Sequence, residues 1–429
     1  MDLLGDLGAT DQLTSTRAEN EVLKEQLKTL KQRCSVLTVE NEALKAEVEI
    51  YRSEAAAAGT LSSSTEGGSS EAAAQRHKSS ERDHFVVSGN GEYAKSKSLM
   101  LEKCHGVSNV LCCSLSNDDS VLATGGADRK VSLALMNPMY GEKPTPESIV
   151  GNSARVDCDA PVITVDFARF GRNPKFVAAG CMDGSVHVLF YEKDGLTVKA
   201  EEVAKGTIKH GKYVRSLAWS STENILGTAS ADGCVQVHKL VWNFIDAEGA
   251  TLEKIQNIQL SGPVESLCFR EDHLCCYARG SSNLICFDLQ DNFAQQKINL
   301  NRGPGNACFD DHVSFAVMDM SPYERDYLAL ATDTSRNIIM DWRSGNQVRN
   351  LYGHKNDSYG QPKLTWSKNG QYLYGNSQHE SGVCVWDIAS SSIVEKLEGH
   401  SNIVRDLYSS NVTDTLVTVS FDKKTQVWS

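Results

Sequence analysis

The sequence predicts an all-β, repeat-built body behind an α-helical coiled coil. Three observations carry that prediction. From Tyr93 onward, short runs rich in Val, Ile, Leu, Phe and Trp alternate with Gly, Asp, Asn and Ser turns, and no helical period of comparable strength appears. A unit recurs along this stretch, with a His ahead of one apolar run and an Asp in the turn that follows the next. Ahead of it, Leu23, Leu30, Leu37, Leu44 and Tyr51 stand at strict seven-residue spacing.

The chain has 429 residues, with 55 acidic against 43 basic side chains and a formal charge of −12. That balance argues against nucleic acid as a partner. Apolar residues at 40% and charged residues at 23% are ordinary globular usage, so a sizeable core is expected. There is no run of about 18 apolar residues, and MDLLGDLGATDQ places acids where a secretion signal needs a basic region. The expectation is a cytoplasmic protein without integral membrane contact, the nucleus left open. None of the 13 cysteines forms a C-x-x-C pair, and most lie in apolar runs such as Leu111-Cys112-Cys113 and Leu274-Cys275-Cys276-Tyr277. They read as buried, reduced thiols.

Residues 1–14 read as a disordered N-terminus and 15–52 as the zipper. Its d positions are Leu23, Leu30, Leu37, Leu44 and Tyr51, and its a positions include Asn20, Leu27, Cys34, Asn41 and Val48. A helix with this stripe has nothing of its own to bury it against, so it pairs with another helix. Thr16 and Glu19 make a capping box at its start. In a parallel dimer Glu19 faces Lys24, Glu40 faces Lys45 and Glu47 faces Arg52, all attractive between identical chains. Asn20 and Asn41 satisfy themselves across a two-stranded parallel seam. A parallel homodimer is therefore expected, with a helix of another protein as the open alternative. A DNA-binding zipper is disfavoured, because acids stand where a basic region belongs.

Residues 53–90 are expected to be a linker; its stretch 53–83 includes AAAAG, SSS and EGGSSEAAAQ and holds almost no large apolar side chain. Such a segment cannot offset the entropy of ordering and reads as a flexible linker.

Residues 91–429 form the repeat body. One copy runs His210-Gly-Lys-Tyr-Val214 to Trp219-Ser, then Ile225 through Asp232 to His238. Another runs His400-Ser-Asn-Ile-Val404, then Leu416 through Asp422 to Trp428. Between them stand Gly353-His354, Trp366-Ser367 and Val383-Cys-Val-Trp386-Asp387. These residues resemble the Gly-His and Trp-Asp signatures of the WD-repeat family, whose repeats each build one four-stranded blade of a β-propeller. The resemblance implies an all-β, seven-bladed WD-repeat propeller. Strand a of the successive blades is expected near Val110, Val162, Val214, Val264, Phe315, Leu364 and Val404. Roughly 335 residues over seven units give roughly 48 each, slightly long for the family. The chain stops after a third strand, so Lys95 to Leu101 are expected to supply the missing outer strand of the last blade.

The resemblance also implies roles for the conspicuous polar residues. His210, Ser230 and Asp232 belong to one buried intrablade hydrogen-bond network, and His400, Ser420, Asp422 and Trp428 to another. A His/Asp/Ser set suggests a hydrolase, but these recur at blade spacing and are spread around a ring. No phosphate loop, nucleophile elbow, zinc-protease motif or calcium loop is found, so no enzyme activity, cofactor or metal is expected. In the family, residues flanking the first apolar position of strand a face partners. Here these include Asn109, Leu111, Tyr213, Arg215, Glu265, Ser314, Ala316, Ile403 and Arg405. Tyr213, Arg215 and Arg405 stand out as contacts for an acidic or phosphorylated peptide, against the plainer reading of solvated rim charges. The expected function is a non-catalytic protein-interaction scaffold. Two alternatives stay open. Met340-Asp341-Trp342-Arg343 resembles the Trp-Asp-x-Arg ending by which substrate receptors dock on cullin-ring ubiquitin ligases. Asp2-Leu3-Leu4-Gly5-Asp6-Leu7 resembles acidic-leucine peptides that engage clathrin or its adaptors, as a vesicle-trafficking accessory protein would.

Overall fold

A computed structural model of the chain describes residues 87–136, 153–171, 175–194, 197–242, 249–300, 315–323, 326–356 and 360–429. The zipper at 15–52 with its dimerisation positions, the acidic-leucine segment and most of the expected linker lie outside the described residues. Among the described residues, no helix is long and apolar enough to cross a membrane.

The strands pair into seven four-stranded antiparallel sheets. Blade 1 runs Val110–Leu115, Val121–Gly126, Lys130–Leu135 and Ala154–Asp157, and blade 2 runs Val162–Phe167, Phe176–Cys181, Ser185–Asp194 and Thr197–Lys209. Blades 3 to 6 repeat the pattern from first strands Val214–Trp219, Val264–Arg270, Val317–Tyr323 and Leu364–Trp366. Blade 7 takes Val404–Ser409, Leu416–Ser420 and Thr425–Trp428, and its outer strand is Lys97–Leu101 from the other end of the body. Leu99 pairs with Val427 and Leu101 with Thr425, and Ser96 and Ser429 exchange two backbone bonds of 2.9 Å. The expected closure of the last blade is thus present, and it removes the open edges a linear array would leave.

Five of the second strands are buried along their whole length, as in Val121–Gly126 and Phe176–Cys181, and those of blades 4 and 5 at all but their first residues, His273 and Tyr327, because each is covered by a neighbouring blade on both faces. Outer strands alternate exposed and half-buried residues, as in Ser392–Leu397, because one face meets solvent. The core lies between blades. One cluster joins Val165 and Phe167 of blade 2 to Val131 and Leu133 of blade 1, and another joins Leu101, Val417 and Val427 of blade 7 to Val110 and Leu115 of blade 1. The second of these closes the ring.

In six blades strand a skips one residue of register just after its first position, between Val110 and Cys112, Val162 and Thr164, Val214 and Ser216, Val264 and Ser266, Val317 and Asp319, and Val404 and Asp406. This places Val317, not Phe315, at the equivalent point of blade 5. The flanking pair there is therefore Ala316 and Met318 rather than Ser314 and Ala316. Phe315 is buried as well, and an apolar pair two residues apart offered two equally good registers to a pattern-based reading.

At the end of the expected linker Gly89 N donates to Asp387 Oδ1 (2.8 Å), and just after it Gly91 N donates to Tyr372 Oη (2.6 Å). A Cβ on Gly89 would stand 2.2 Å from the Tyr372 ring, so only glycine allows this approach. Residues 89–91 are packed on blade 6.

Candidate protein-interaction face

Antiparallel strands in sequence alternate direction, so the loops entering each strand a and the turns between second and third strands share one face. On that face sit the His–Asp pairs. His105 Nδ1 lies 2.8 Å from Asp128 Oδ1 and its Nε2 3.0 Å from Thr124 Oγ1. His400 Nδ1 lies 3.0 Å from Asp422 Oδ2 and its Nε2 2.9 Å from Thr418 Oγ1, which also accepts from Trp428 Nε1 (3.0 Å). His210 Nε2 meets Thr228 Oγ1 at 2.9 Å, but its Nδ1 stands 3.8 Å from Asp232, whose Oδ2 accepts from Gly211 N instead. Burial then pushes His210 down to about 4. Burial does the same to His238 and His354, both to about 4, with Lys254 also disfavouring the charged form of His238.

The hydroxyl that touches each imidazole is a threonine, not the expected serine. Ser230 and Ser420 donate to the carbonyls of Lys212 and Asn402 and accept from the amides of Asp232 and Asp422. They fasten the entering loop one bond away from the ring. Thr124, Thr228 and Thr418 each lie four residues before the turn Asp, a repeat that was readable but was hidden by the nearer serine. With a His, an Asp and a hydroxyl each engaged inside separate blades, these sets do not converge on a common cleft.

The bulge in strand a leaves its second residue out of the ladder, and in the six blades those residues are Leu111, Ile163, Arg215, Glu265, Met318 and Arg405. Leu111, Arg215 and Arg405 are half-buried there, and Glu265 is buried. Arg215 Nη1 lies 2.8 Å from Glu265 Oε2 and its Nη2 donates to Tyr213 Oη (2.9 Å). Arg279 Nε donates to Glu265 Oε1 at 2.7 Å. Glu265 is 3% exposed and held between two guanidiniums, so it is not a free contact group as expected. It positions Arg215 instead. Asn109, Tyr213 and Ile403 are half-buried, and their carbonyls accept from Ala127 N, Ala231 N and Phe421 N, which holds the rim rigid.

The next strand-a residues link blade to blade. Ser216 Oγ donates to Leu267 O and Ser266 Oγ to Val317 O, while Asp319 accepts from Leu364 N and Asp406 from Cys113 N. Lys363 Nζ lies 3.1 Å from Asp319 Oδ1; burial opposes its charge, but Asp319 and Asp406 together raise its pKa. Burial raises Asp406. Asp319, Lys363 and Asp406 were missed because their partners lie one blade away, and Arg279 because its partner Glu265 lies on another strand of its own blade, where no spacing pattern reports them.

Arg405 differs from these cations. Its guanidinium lies 5.7 Å from the Phe421 ring, and among the described residues it makes no ion pair or hydrogen bond. Burial lowers its pKa, Asp406 opposes that, and Arg215 adds repulsion.

On the opposite face, Arg343 Nε is bound to Asp326 Oδ1 (2.7 Å) and its Nη2 to Glu271 Oε2 (3.1 Å). The arginine of the ligase-like motif is already engaged by two carboxylates.

The family model described as WD domain, G-beta repeat, matches residues 96–133, 203–239 and 391–429. A search of curated proteins finds no match.

Proposed function

Because the chain carries WD repeats in a seven-bladed propeller, an architecture that serves generally as a protein-interaction scaffold, we propose that it is a non-catalytic scaffold whose channel mouth receives an acidic or phosphorylated peptide segment of a partner protein. The state of Arg405 carries this reading. Among the described residues this half-buried cation makes no direct ion pair, which is costly, and an arriving carboxylate or phosphate offsets that cost with forked, charge-assisted hydrogen bonds. Arg215, oriented by Glu265 and Tyr213, supplies a second charge at the same mouth. Leu111, Ile403, Asn109 and the Tyr213 ring provide the surrounding contact surface. A recessed pair of cations on an otherwise acidic chain suits a short acidic segment better than a nucleic acid, which needs an extended basic track.

Binding of the full chain to an array of acidic, phosphorylated and neutral peptides tests it. Preference for negative peptides, lost in Arg405→Glu, is the expected result. Equal binding to neutral peptides, or a preference unchanged in that variant, refutes it.

The zipper then makes the scaffold bivalent as a parallel homodimer, turning two weak contacts into one avid attachment. Light-scattering mass checks this. The full chain should be twice its monomer mass and a chain starting at Asp83 should be a monomer. A monomeric full chain instead assigns residues 15–52 to another protein's helix. A cytoplasmic location fits the thiols, since the eleven described cysteines are free and buried.

A further inference from the structure

Blade 2 departs from the His–Thr–Asp network of blades 1, 3 and 7 at several of its positions. Cys158 stands where the histidine should. Its amide donates to Arg129 O (2.8 Å) just as that of His210 donates to Gly184 O (2.9 Å), each carbonyl belonging to the residue after a turn Asp. Four residues before Asp183 is Ala179, where the other blades have threonine. Two before it is Cys181, where blades 3 and 7 have Ser230 and Ser420. Asp183 itself is engaged by Ser185 Oγ and Lys209 Nζ, both at 2.6 Å. Two thiols and an imidazole occupy the slot. Sγ of Cys158, Sγ of Cys181 and a ring nitrogen of His187 lie within 4.8 Å of one another, and all three residues are buried.

His187 is oriented for a further ligand. Its Nδ1 is bound to Glu202 Oε1 at 2.7 Å, and its Nε2 is left with Ser185 Oγ at 3.2 Å. A carboxylate on one ring nitrogen is the common way to fix an imidazole whose other nitrogen binds a metal. Glu202 reaches the ring from an outer strand with an unusual bulge. Pairing jumps from Val186↔Ile208 to Val188↔Val203, so five steps on one strand oppose two on the other, three residues in excess. Ala204 in that bulge has φ of +51°, a strained conformation for a non-glycine residue. The corresponding bulges of blades 3, 5 and 6 each absorb only one extra residue.

We propose that Cys158, Cys181 and His187 bind one thiophilic divalent cation of the zinc class, tying the loop ahead of blade 2 to its second and third strands. Two sulfurs and one nitrogen select such an ion over magnesium or calcium, which require oxygen. Ligand spacings of roughly 3.5–4 Å suit a tetrahedral zinc centre, within a small side-chain adjustment of the observed cluster. Both thiols lose their protons to solvent on binding, and the two thiolate charges neutralise the ion, which a buried site needs.

The reduced, chelator-stripped full chain is titrated with Co2+ alone and then with Zn2+. A thiolate-to-cobalt charge-transfer band saturating at one equivalent and displaced by zinc is expected, with Tm raised by roughly 3–5 °C at a hundredfold excess over Kd. Cys181→Ser keeps the side chain that blades 3 and 7 carry there, so it folds, and it should lose the band. Cys234→Ser, in the separate His210–Asp232–Cys234 cluster, should retain it. No thiolate band in the wild-type chain, or a band that survives Cys181→Ser, overturns the proposal. So does a metal-free chain in which these two thiols are found joined as a disulfide.

Discussion

Thr418 lies where three groups meet. Its buried hydroxyl accepts from Trp428 Nε1 at 3.0 Å and lies 2.9 Å from His400 Nε2, while His400 Nδ1 faces Asp422. With Nδ1 donating to the carboxylate, Nε2 accepts from the hydroxyl at 2.9 Å, the shorter of that hydroxyl's two donor contacts, the other being Gln426 O at 3.4 Å, and the hydroxyl accepts from the indole. Thr418→Val keeps the shape and removes both bonds, leaving an indole N–H and an imidazole nitrogen buried without partners. At about 1–3 kcal/mol for each orphaned group, the loss is about 2–6 kcal/mol. Thr228 makes the matching contact to His210 at 2.9 Å without a tryptophan partner, so Thr228→Val orphans one group and costs about 1–3 kcal/mol. Urea unfolding of the full chain, followed by far-ultraviolet circular dichroism, measures both. In a Trp428→Phe background the cost of Thr418→Val should fall to that of Thr228→Val. Equal costs for the two threonines in the wild-type background, or a Thr418→Val loss under about 1 kcal/mol, refute the assignment of the threonine as the hub of the network.

Four further outcomes follow from the geometry. His210, His238 and His354 have folded pKa values of about 4 against an ordinary 6.5, so the unfolded chain binds protons more readily. Stability should be full above pH 6.5 and fall as pH drops toward 4, by on the order of 3 kcal/mol for one such group; His354→Gln should flatten that slope in urea melts taken across the window. Glu265→Gln weakens the clamp on Arg215 and Arg279 and should cost about 3 kcal/mol, read as a lower urea midpoint. Leu101→Ala empties a fully buried site in the cluster joining blades 7 and 1 and should cost about 2–5 kcal/mol by the same measurement. Arg343→Ala removes two exposed ion pairs and should change stability by less than about 1 kcal/mol, which thermal melts will show.

The sequence by itself determined the repeat, the seven first strands to within two residues, and the closing role of the segment before Leu101. Those features are written locally, in apolar runs, turn residues and a histidine-to-aspartate spacing that recurs. It also put Arg215 and Arg405 next to the first buried position of strand a, because strand register sets which residues flank it. Only the tertiary structure decided what those residues do. Glu265 became an internal clamp because Arg279 arrives from the next strand and Arg215 from the preceding blade. Arg405 makes no ion pair among the described residues, and the nearby Asp406 also acts on Lys363. Cys158, Cys181 and His187 came together because a loop, a strand end and a bulged strand pair meet on one blade. Pairings of this kind join residues whose partners lie on other strands or blades, and a charge or a thiol carries no mark in the sequence of the partner the fold will bring to it.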